Sequence, residues 1–200
     1  MRKQTKLVAV LSTAALLAIG ASMTSFAATG WAEEDGTWVY YNRDGERATD
    51  QWKKSGNNWY WLDSDGEMAI DQLIEDGDNY YYVDINGVMA ANQWVAIDNE
   101  DAGEDDEPDH YWYYFQANGK AYKRSDSASD TSISAKTING KKYAFDTDGR
   151  MLYGWVDAGE RQTDDDAWKT CQYYFGDEDD GAMSEGWRLI SITDDEAEDA

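Results

Sequence analysis

Apolar and polar residues alternate along this chain in short runs that return at a fixed pitch. Trp38-Val39-Tyr40-Tyr41, Trp59-Tyr60-Trp61-Leu62 and Tyr80-Tyr81-Tyr82-Val83 start 21 residues apart, and each is followed by an Asx-Gly pair and then by Gln51-Trp52, Gln72-Leu73 or Gln93-Trp94. One aromatic run and one turn signal per short period predict an all-β fold, a β-hairpin solenoid built from about six aromatic repeats. Residues 30–190 show no 3.6-residue apolar period, so no helix longer than two turns is expected there.

Asp-Gly and Asn-Gly suit two-residue hairpin loops, because both central positions need positive φ. The pairs Asp44-Gly45, Asp65-Gly66, Asn86-Gly87, Asn118-Gly119, Asp148-Gly149 and Asp180-Gly181 predict six hairpins turning at those glycines. Ser55-Gly56-Asn57-Asn58, Glu75-Asp76-Gly77-Asp78 and Ile138-Asn139-Gly140-Lys141 then read as connections between units. Side chains alternate across a strand. One face of the runs holds Val39/Tyr41, Tyr60/Leu62, Tyr81/Val83, Tyr113/Phe115, Tyr143/Phe145 and Tyr173/Phe175, large and apolar in every unit, and is assigned to the core. The other holds Trp38/Tyr40, Trp59/Trp61, Tyr80/Tyr82 and Trp112/Tyr114, but Lys142/Ala144 in the fifth unit. That change places this face outward, or in a groove between hairpins.

The pattern divides the chain into a leader over residues 1–28, tight repeats over 29–95, an acidic insertion over 96–110, looser repeats over 111–190 and an acidic tail over 191–200. A basic start, an apolar stretch from Leu7 to Gly20 and the small-x-small Ser25-Phe26-Ala27 make the leader a signal peptide. Its apolar stretch falls short of the ~20 residues a bilayer span needs, so the mature protein is expected to be exported with no membrane span.

Composition sharpens this. The aromatics are 14 Tyr and 10 Trp against 4 Phe, and rings with both an apolar face and a polar edge suit half-exposed stacking surfaces. The formal charge of −24 becomes more negative still once Arg2, Lys3 and Lys6 leave with the leader. Nucleic acid and anionic lipid are thereby excluded as unaided partners, for want of a basic patch. Cationic groups, neutral sugars and divalent metals remain.

Catalytic chemistry finds no constellation. His110 and Cys171, the only histidine and cysteine, fall in different hairpins at the edges of insertions, and no carboxylate pair stands out from the acidic background. Asp63-Ser64-Asp65-Gly66 and Asp146-Thr147-Asp148-Gly149 begin like a calcium loop, yet they lack its bidentate Glu and following helix, and turn chemistry accounts for the same letters. No catalytic residue, cofactor or metal site is assigned. The acidic runs from Asp98 to Asp109 and from Asp194 to Asp199 read as solvated, self-repelling segments.

The remaining constellation is aromatic. Besides the strand rings, a tryptophan ends most units, at Trp31, Trp52, Trp94, Trp155 and Trp187. Trp31 with Trp38, and Trp52 with Trp59, flank a connecting turn and are expected to wall one cleft. Such a cleft suits a quaternary ammonium, held by ring quadrupoles, or a sugar, stacked through its C–H face. The alternative is that the rings only pack hairpin on hairpin.

The succession Gly-Trp, Trp-Tyr-Tyr, Asp-Gly-x-Met, Gly-Trp is best seen in residues 137–155, from Thr137 through Asp148-Gly149-Arg150-Met151 to Gly154-Trp155. It resembles the cell-wall-binding repeat of Gram-positive surface proteins, a superfamily that includes choline-binding modules, clostridial toxin repeats and the glucan-binding repeats of glucosyltransferases. The likeness covers about residues 30–190. It implies ligand-binding aromatics at Trp31, Trp52, Trp94, Trp155 and Trp187, and at Trp38, Trp59, Tyr80 and Trp112. Tyr40, Trp61, Tyr82 and Tyr114 join them on the same strand face. The methionines Met68, Met89, Met151 and Met183 match the family position after the turn glycine. Three departures, Gln before Trp52 and Trp94, Leu73 in place of a cage Trp, and Lys142/Ala144, weigh toward a carbohydrate over choline alone.

The resemblance implies an exported, non-catalytic binding protein at the cell wall or surface of a Gram-positive bacterium. Its expected partners are cell-wall polysaccharide, glucan or choline-substituted teichoic acid. Two other readings stay open: a structural or adhesin segment using its acidic surface for protein or calcium-bridged contacts, and the targeting part of a longer surface enzyme.

Overall fold

A computed structural model describes residues 29–104, 107–125, 127–128, 133–164 and 166–186. The leader, Trp187 and the acidic tail lie outside them. Strands β1 (Gly30–Glu34) and β2 (Thr37–Tyr41), β3 (Gln51–Ser55) and β4 (Asn58–Leu62), β5 (Gln72–Asp76) and β6 (Asn79–Val83), β7 (Gln93–Asp98) and β8 (His110–Phe115), and β9 (Lys136–Ile138) and β10 (Lys141–Tyr143) pair as five antiparallel hairpins. Strands β11 (Gly154–Asp157), β12 (Glu160–Gln162), β13 (Tyr173–Asp177) and β14 (Asp180–Met183) form one four-stranded sheet in the order β12-β11-β13-β14. The helix among the described residues, α1 (Ala167–Thr170), has 4 residues, and none is long and apolar enough to cross a membrane. The fold is all-β and built from repeated hairpins.

The hairpins close one turn earlier than the Asx-Gly pairs predict. Their loops are Asp35-Gly36, Gly56-Asn57, Gly77-Asp78 and Asn139-Gly140, three of the four inside or beside segments read as connections. Asp35 and Gly36 both take positive φ (51° and 87°), as a type I′ loop demands. The Asx-Gly pairs do something else. In residues 63–67 the Gly66 N–H donates to the Asp63 carbonyl (3.0 Å), the Asp63 N–H donates to the Glu67 carbonyl (2.9 Å), and Gly66 alone is left-handed. This is a three-residue turn ending in a glycine bulge. The Asp63 carboxylate accepts the Asp65 and Glu67 N–H groups (both 2.9 Å), and Asp84 and Asp146 repeat the arrangement. The calcium-like letters are therefore spent on the backbone. Each turn leads into a one-residue bridge, Leu62 to Met68, Val83 to Met89 and Phe145 to Met151. The sixth predicted turn, Asp180-Gly181, lies within β14.

A repeated set of backbone hydrogen bonds stitches one hairpin to the next turn. The Trp38, Trp59, Tyr80 and Trp112 carbonyls accept the N–H groups of Met68, Met89, Ala121 and Met151 at 2.7–2.9 Å. The methionines then cover the next turn: a side chain at Gly87 would meet Met68 Cε at 2.9 Å, and one at Gly119 would meet Met89 Sδ at 2.5 Å. At Gly87 a side chain would also meet the Ala69 carbonyl at 3.0 Å, so glycine is needed there for close approach as well as for φ, while at Gly119 the positive φ is the firmer requirement.

Leu62, Val83, Phe115, Phe145 and Phe175 form a buried spine, each at most 4% exposed. Three face assignments are corrected. Trp61, expected outward, is buried, as is Ala144, whereas Tyr173, expected in the core, is exposed. In a stack of hairpins the second face of one hairpin is covered by its neighbour, so a face that leaves the spine does not thereby reach water.

The acidic insertion is the loop of the β7–β8 hairpin. Its neck is fastened by the Asn99 side-chain amide, which donates to the Pro108 carbonyl (2.9 Å), and by the Tyr111 hydroxyl, which donates to Glu107. Purely solvated behaviour is therefore ruled out at the neck.

Candidate functional site

Antiparallel register sets the first two walls of each groove. It places Trp31 opposite Tyr40, Trp52 opposite Trp61, Leu73 opposite Tyr82, Trp94 opposite Tyr114 and Trp155 opposite Tyr174. Each cross-strand pair meets on one face of its hairpin. The third wall comes from the following hairpin. Trp31 lies 5.3 Å from Tyr40 and 5.3 Å from Tyr60, Trp52 lies 5.2 Å from Trp61 and 5.1 Å from Tyr81, and Trp94 lies 5.1 Å from Tyr114 and 4.8 Å from Tyr143, between ring centroids and at steep angles. Edge-to-face contacts of this kind are the preferred packing of rings with a quadrupole.

Strand alternation assigns Tyr60, Tyr81 and Tyr143 to the core alone. In the structure they serve the spine side of their own hairpin and also wall the groove of the hairpin before it. The signal for this is the solenoid itself: if hairpins stack, the apolar face of one must meet the second face of its neighbour.

The mouth residues stand apart. Trp59 is 40% exposed, with Lys54 Nζ 5.7 Å from its ring. Tyr80 lies under Lys123, and the Trp112 indole N–H donates to Asp179 (3.2 Å) beside His110. Trp38 is half-buried near the hairpin tip. The ring contacts of Trp31 and Trp52 thus go to Tyr40, Tyr60, Trp61 and Tyr81, not to Trp38 and Trp59. Trp155 meets Tyr174 at 4.9 Å, while Trp187 lies outside the described residues. In the third groove Leu73 packs among Tyr82, Tyr113 and Phe115.

The second groove, Trp52/Trp61/Tyr81, combines two indoles with a carboxylate. The Trp52 indole N–H donates to Asp76 Oδ2 (3.2 Å), and burial together with Asp76 pushes the Tyr81 hydroxyl up from its ordinary value. Trp61 is buried at the base, so the half-buried Trp52 and Tyr81 rings and the rim carboxylate are the surface offered, one that suits a cation without a hydrogen-bond donor of its own. In the third groove the Tyr82 hydroxyl donates to Asp71, and burial, with Asp71 next, pushes it up strongly. Lys142, on the face of the fifth unit that lost its rings, pairs with Glu185 from the end of the array (2.9 Å), and Lys141, on the other face, pairs with Asp180 (3.2 Å).

Nucleophilic chemistry gains nothing from the geometry. His110 Nε2 lies 3.2 Å from Asp179, and burial pushes the Cys171 thiol up, away from thiolate. Among the described residues no group of three His, Cys, Asp or Glu is placed to hold a metal.

Known proteins carry the same repeat. Residues 28–69 and 48–94 match the choline-binding repeat, and residues 111–121 match the putative cell wall binding repeat. No curated protein matches over the chain. Among solved structures, choline-binding protein F of Streptococcus pneumoniae, in the presence of a peptidoglycan analogue, is 26% identical with a TM-score of 0.51, covering 82% of this chain and 47% of its own. CbpJ of Streptococcus pneumoniae is 25% identical with a TM-score of 0.50, covering 78% and 42%. The modular autolysin LytC of the same species, in complex with a synthetic peptidoglycan ligand, shares the fold at 22% identity and a TM-score of 0.51, covering 78% and 28%. The chain therefore spans less than half the length of each.

Proposed function

Because this chain belongs to the choline-binding, cell-wall-binding repeat family, we propose that it is an exported, non-catalytic protein that holds cell-envelope polymer through the aromatic grooves between its hairpins. The observation that carries the reading is the second groove, where Trp52, Trp61 and Tyr81 converge at 5.1–5.2 Å beside Asp76. A quaternary ammonium gains from the half-buried Trp52 and Tyr81 rings, backed by the buried Trp61, and a nearby carboxylate adds attraction that an uncharged aliphatic ligand would not feel. Choline-bearing polymer is the preferred ligand of this groove. Exposed Trp59 offers a flat face on which a sugar of the same polymer stacks.

Single sites of this kind are weak, and a rigid array presenting several to one polymer gains retention through effective concentration. A cell-surface location follows from the repeat family, and export from the leader. The test is retention of the mature protein on immobilised choline, purified wall polysaccharide and α-glucan in parallel, with free choline as competitor. Retention on choline, released by free choline and lost in Trp52→Ala, is the expected result. Failure on all three matrices overturns the reading, and retention on α-glucan alone, indifferent to choline, reassigns the ligand to a sugar.

A further inference from the structure

Grooves one and two have the same architecture but differ at one position. The residue opposite the third wall in the register is Lys53 in groove one, where it faces Tyr60, and Ile74 in groove two, where it faces Tyr81. Ile74 is buried and packs against Trp61. Lys53 instead sends its stem toward the preceding hairpin. Its Nζ stands 4.8 Å from the centroid of the Tyr40 ring and donates to Asn42 Oδ1 at 2.7 Å. Tyr40 is itself a wall of groove one, in edge contact with Trp31.

From this difference we infer that Lys53 is a built-in occupant of groove one, its ammonium holding the Tyr40 face that a ligand's cation would take. In groove two the same position is the buried, uncharged Ile74, so no tethered cation competes for the half-buried Trp52 and Tyr81 rings at its rim. The inference rests on the proposed function, since it decides which grooves that function uses. An ammonium tethered to the neighbouring strand acts at an effective concentration of about the millimolar range or above, and a free cation that binds one groove weakly does not displace it. The Asn42 contact fixes the tether in place. Asn42 also belongs to the turn at residues 42–46, so the occupant is anchored to a rigid part of the stack.

The fourth groove repeats the device at longer range. Lys136 faces Tyr143 in the register, and its Nζ lies 5.8 Å from the ring of Tyr122, which is stacked on the groove residue Tyr114 at 5.7 Å. There the ammonium sits one ring behind the groove, so groove four is hindered less than groove one.

The test is calorimetric titration of the mature protein with choline chloride, for the wild type, Lys53→Met, Lys53→Arg and Trp52→Ala, each first checked for a cooperative thermal transition. Met keeps the stem and removes the charge, while Arg keeps a cation that stacks on the ring. Lys53→Met is expected to add one choline site, with the Trp31 indole newly responsive by NMR, and Lys53→Arg to leave the number of sites unchanged. Equal stoichiometry in the wild type and Lys53→Met, or a Trp31 response already present in the wild type, overturns the inference. If Trp52→Ala abolishes wild-type binding while Lys53→Met adds nothing, the proposed function stands and this inference alone falls. If neither the wild type nor Lys53→Met binds choline, this inference falls and choline is lost as the ligand, while retention on wall polysaccharide or α-glucan still decides the proposed function.

Discussion

The first three hairpins and the part of the chain from β9 onward are held together in the same way but furnished differently. In both, strand carbonyls stitch to the N–H of a later bridge residue, Trp38 to Met68 in one and Trp112 to Met151 across the boundary of the other, at 2.8 and 2.7 Å. In the first region every hairpin also carries a cross-strand pair that includes at least one ring: Trp31/Tyr40, Trp52/Trp61 and Leu73/Tyr82. In the β9–β10 unit the equivalent positions are Lys142 in β10 and Ala144 just after it, and Lys142 pairs with Glu185. The contrast assigns the stack to backbone bonds and turn geometry, and the proposed function leaves recognition to the rings. Rings can therefore be lost from one unit without loss of the fold.

The largest expected effect strikes the stack. Phe115→Ala removes a fully buried spine residue and is expected to cost about 3–5 kcal/mol, read as a shift of the urea midpoint. Tyr173→Ala, at an exposed strand position, is expected to stay within about 0.5 kcal/mol. Comparable losses from the two would dissolve the spine.

A second effect separates the regions by pH. Burial, set against the Arg150 and Asp148 N–H donors, pushes Asp146 up to about 6 from 3.8. Its folded form therefore holds a proton that the unfolded chain releases earlier. The contribution to stability is fully present below about pH 4 and lost as pH rises through 6, a change of roughly 3 kcal/mol across that window. Asp146→Asn is expected to flatten this part of the stability profile between pH 4 and 7. An unchanged profile would show that Asp146 titrates like an exposed carboxylate.

Trp59→Ala is the next smaller. The ring is at the mouth while its carbonyl holds the Met89 stitch, so truncation is expected to cost at most about 1 kcal/mol of stability while weakening retention on wall polymer. Equal destabilisation by Trp59→Ala and Leu62→Ala would erase the distinction between mouth and spine. Smallest of all is Lys142→Ala, which breaks an exposed pair and is expected to change stability by less than about 0.5 kcal/mol.

The repeat, the hairpin architecture and the spine at the fourth position of the runs after the first are legible in the sequence because alternation and pitch encode them directly. The turns are misplaced because Asx-Gly is written identically in a type I′ loop and at the end of a three-residue turn. The letter that tells them apart sits two residues earlier, in Asp63, Asp84 and Asp146, whose carboxylates take two backbone N–H groups each. The tryptophans of the grooves are visible in the sequence, but their partners are not. Tyr60, Tyr81 and Tyr143 reach the groove of the preceding hairpin because successive hairpins pack on one another, and no periodicity along one strand records that packing. The outward placement of Trp61 fails for the same reason.

Recognition by the ring triads of the first region, above all by Trp52/Trp61/Tyr81, is tested most directly by following the indole N–H resonances of the mature protein during titration with choline. Trp52 and Trp61 are expected to move first and furthest, with Trp155 nearly still. Movement of Trp155 with Trp52 and Trp61 unchanged would contradict the assignment.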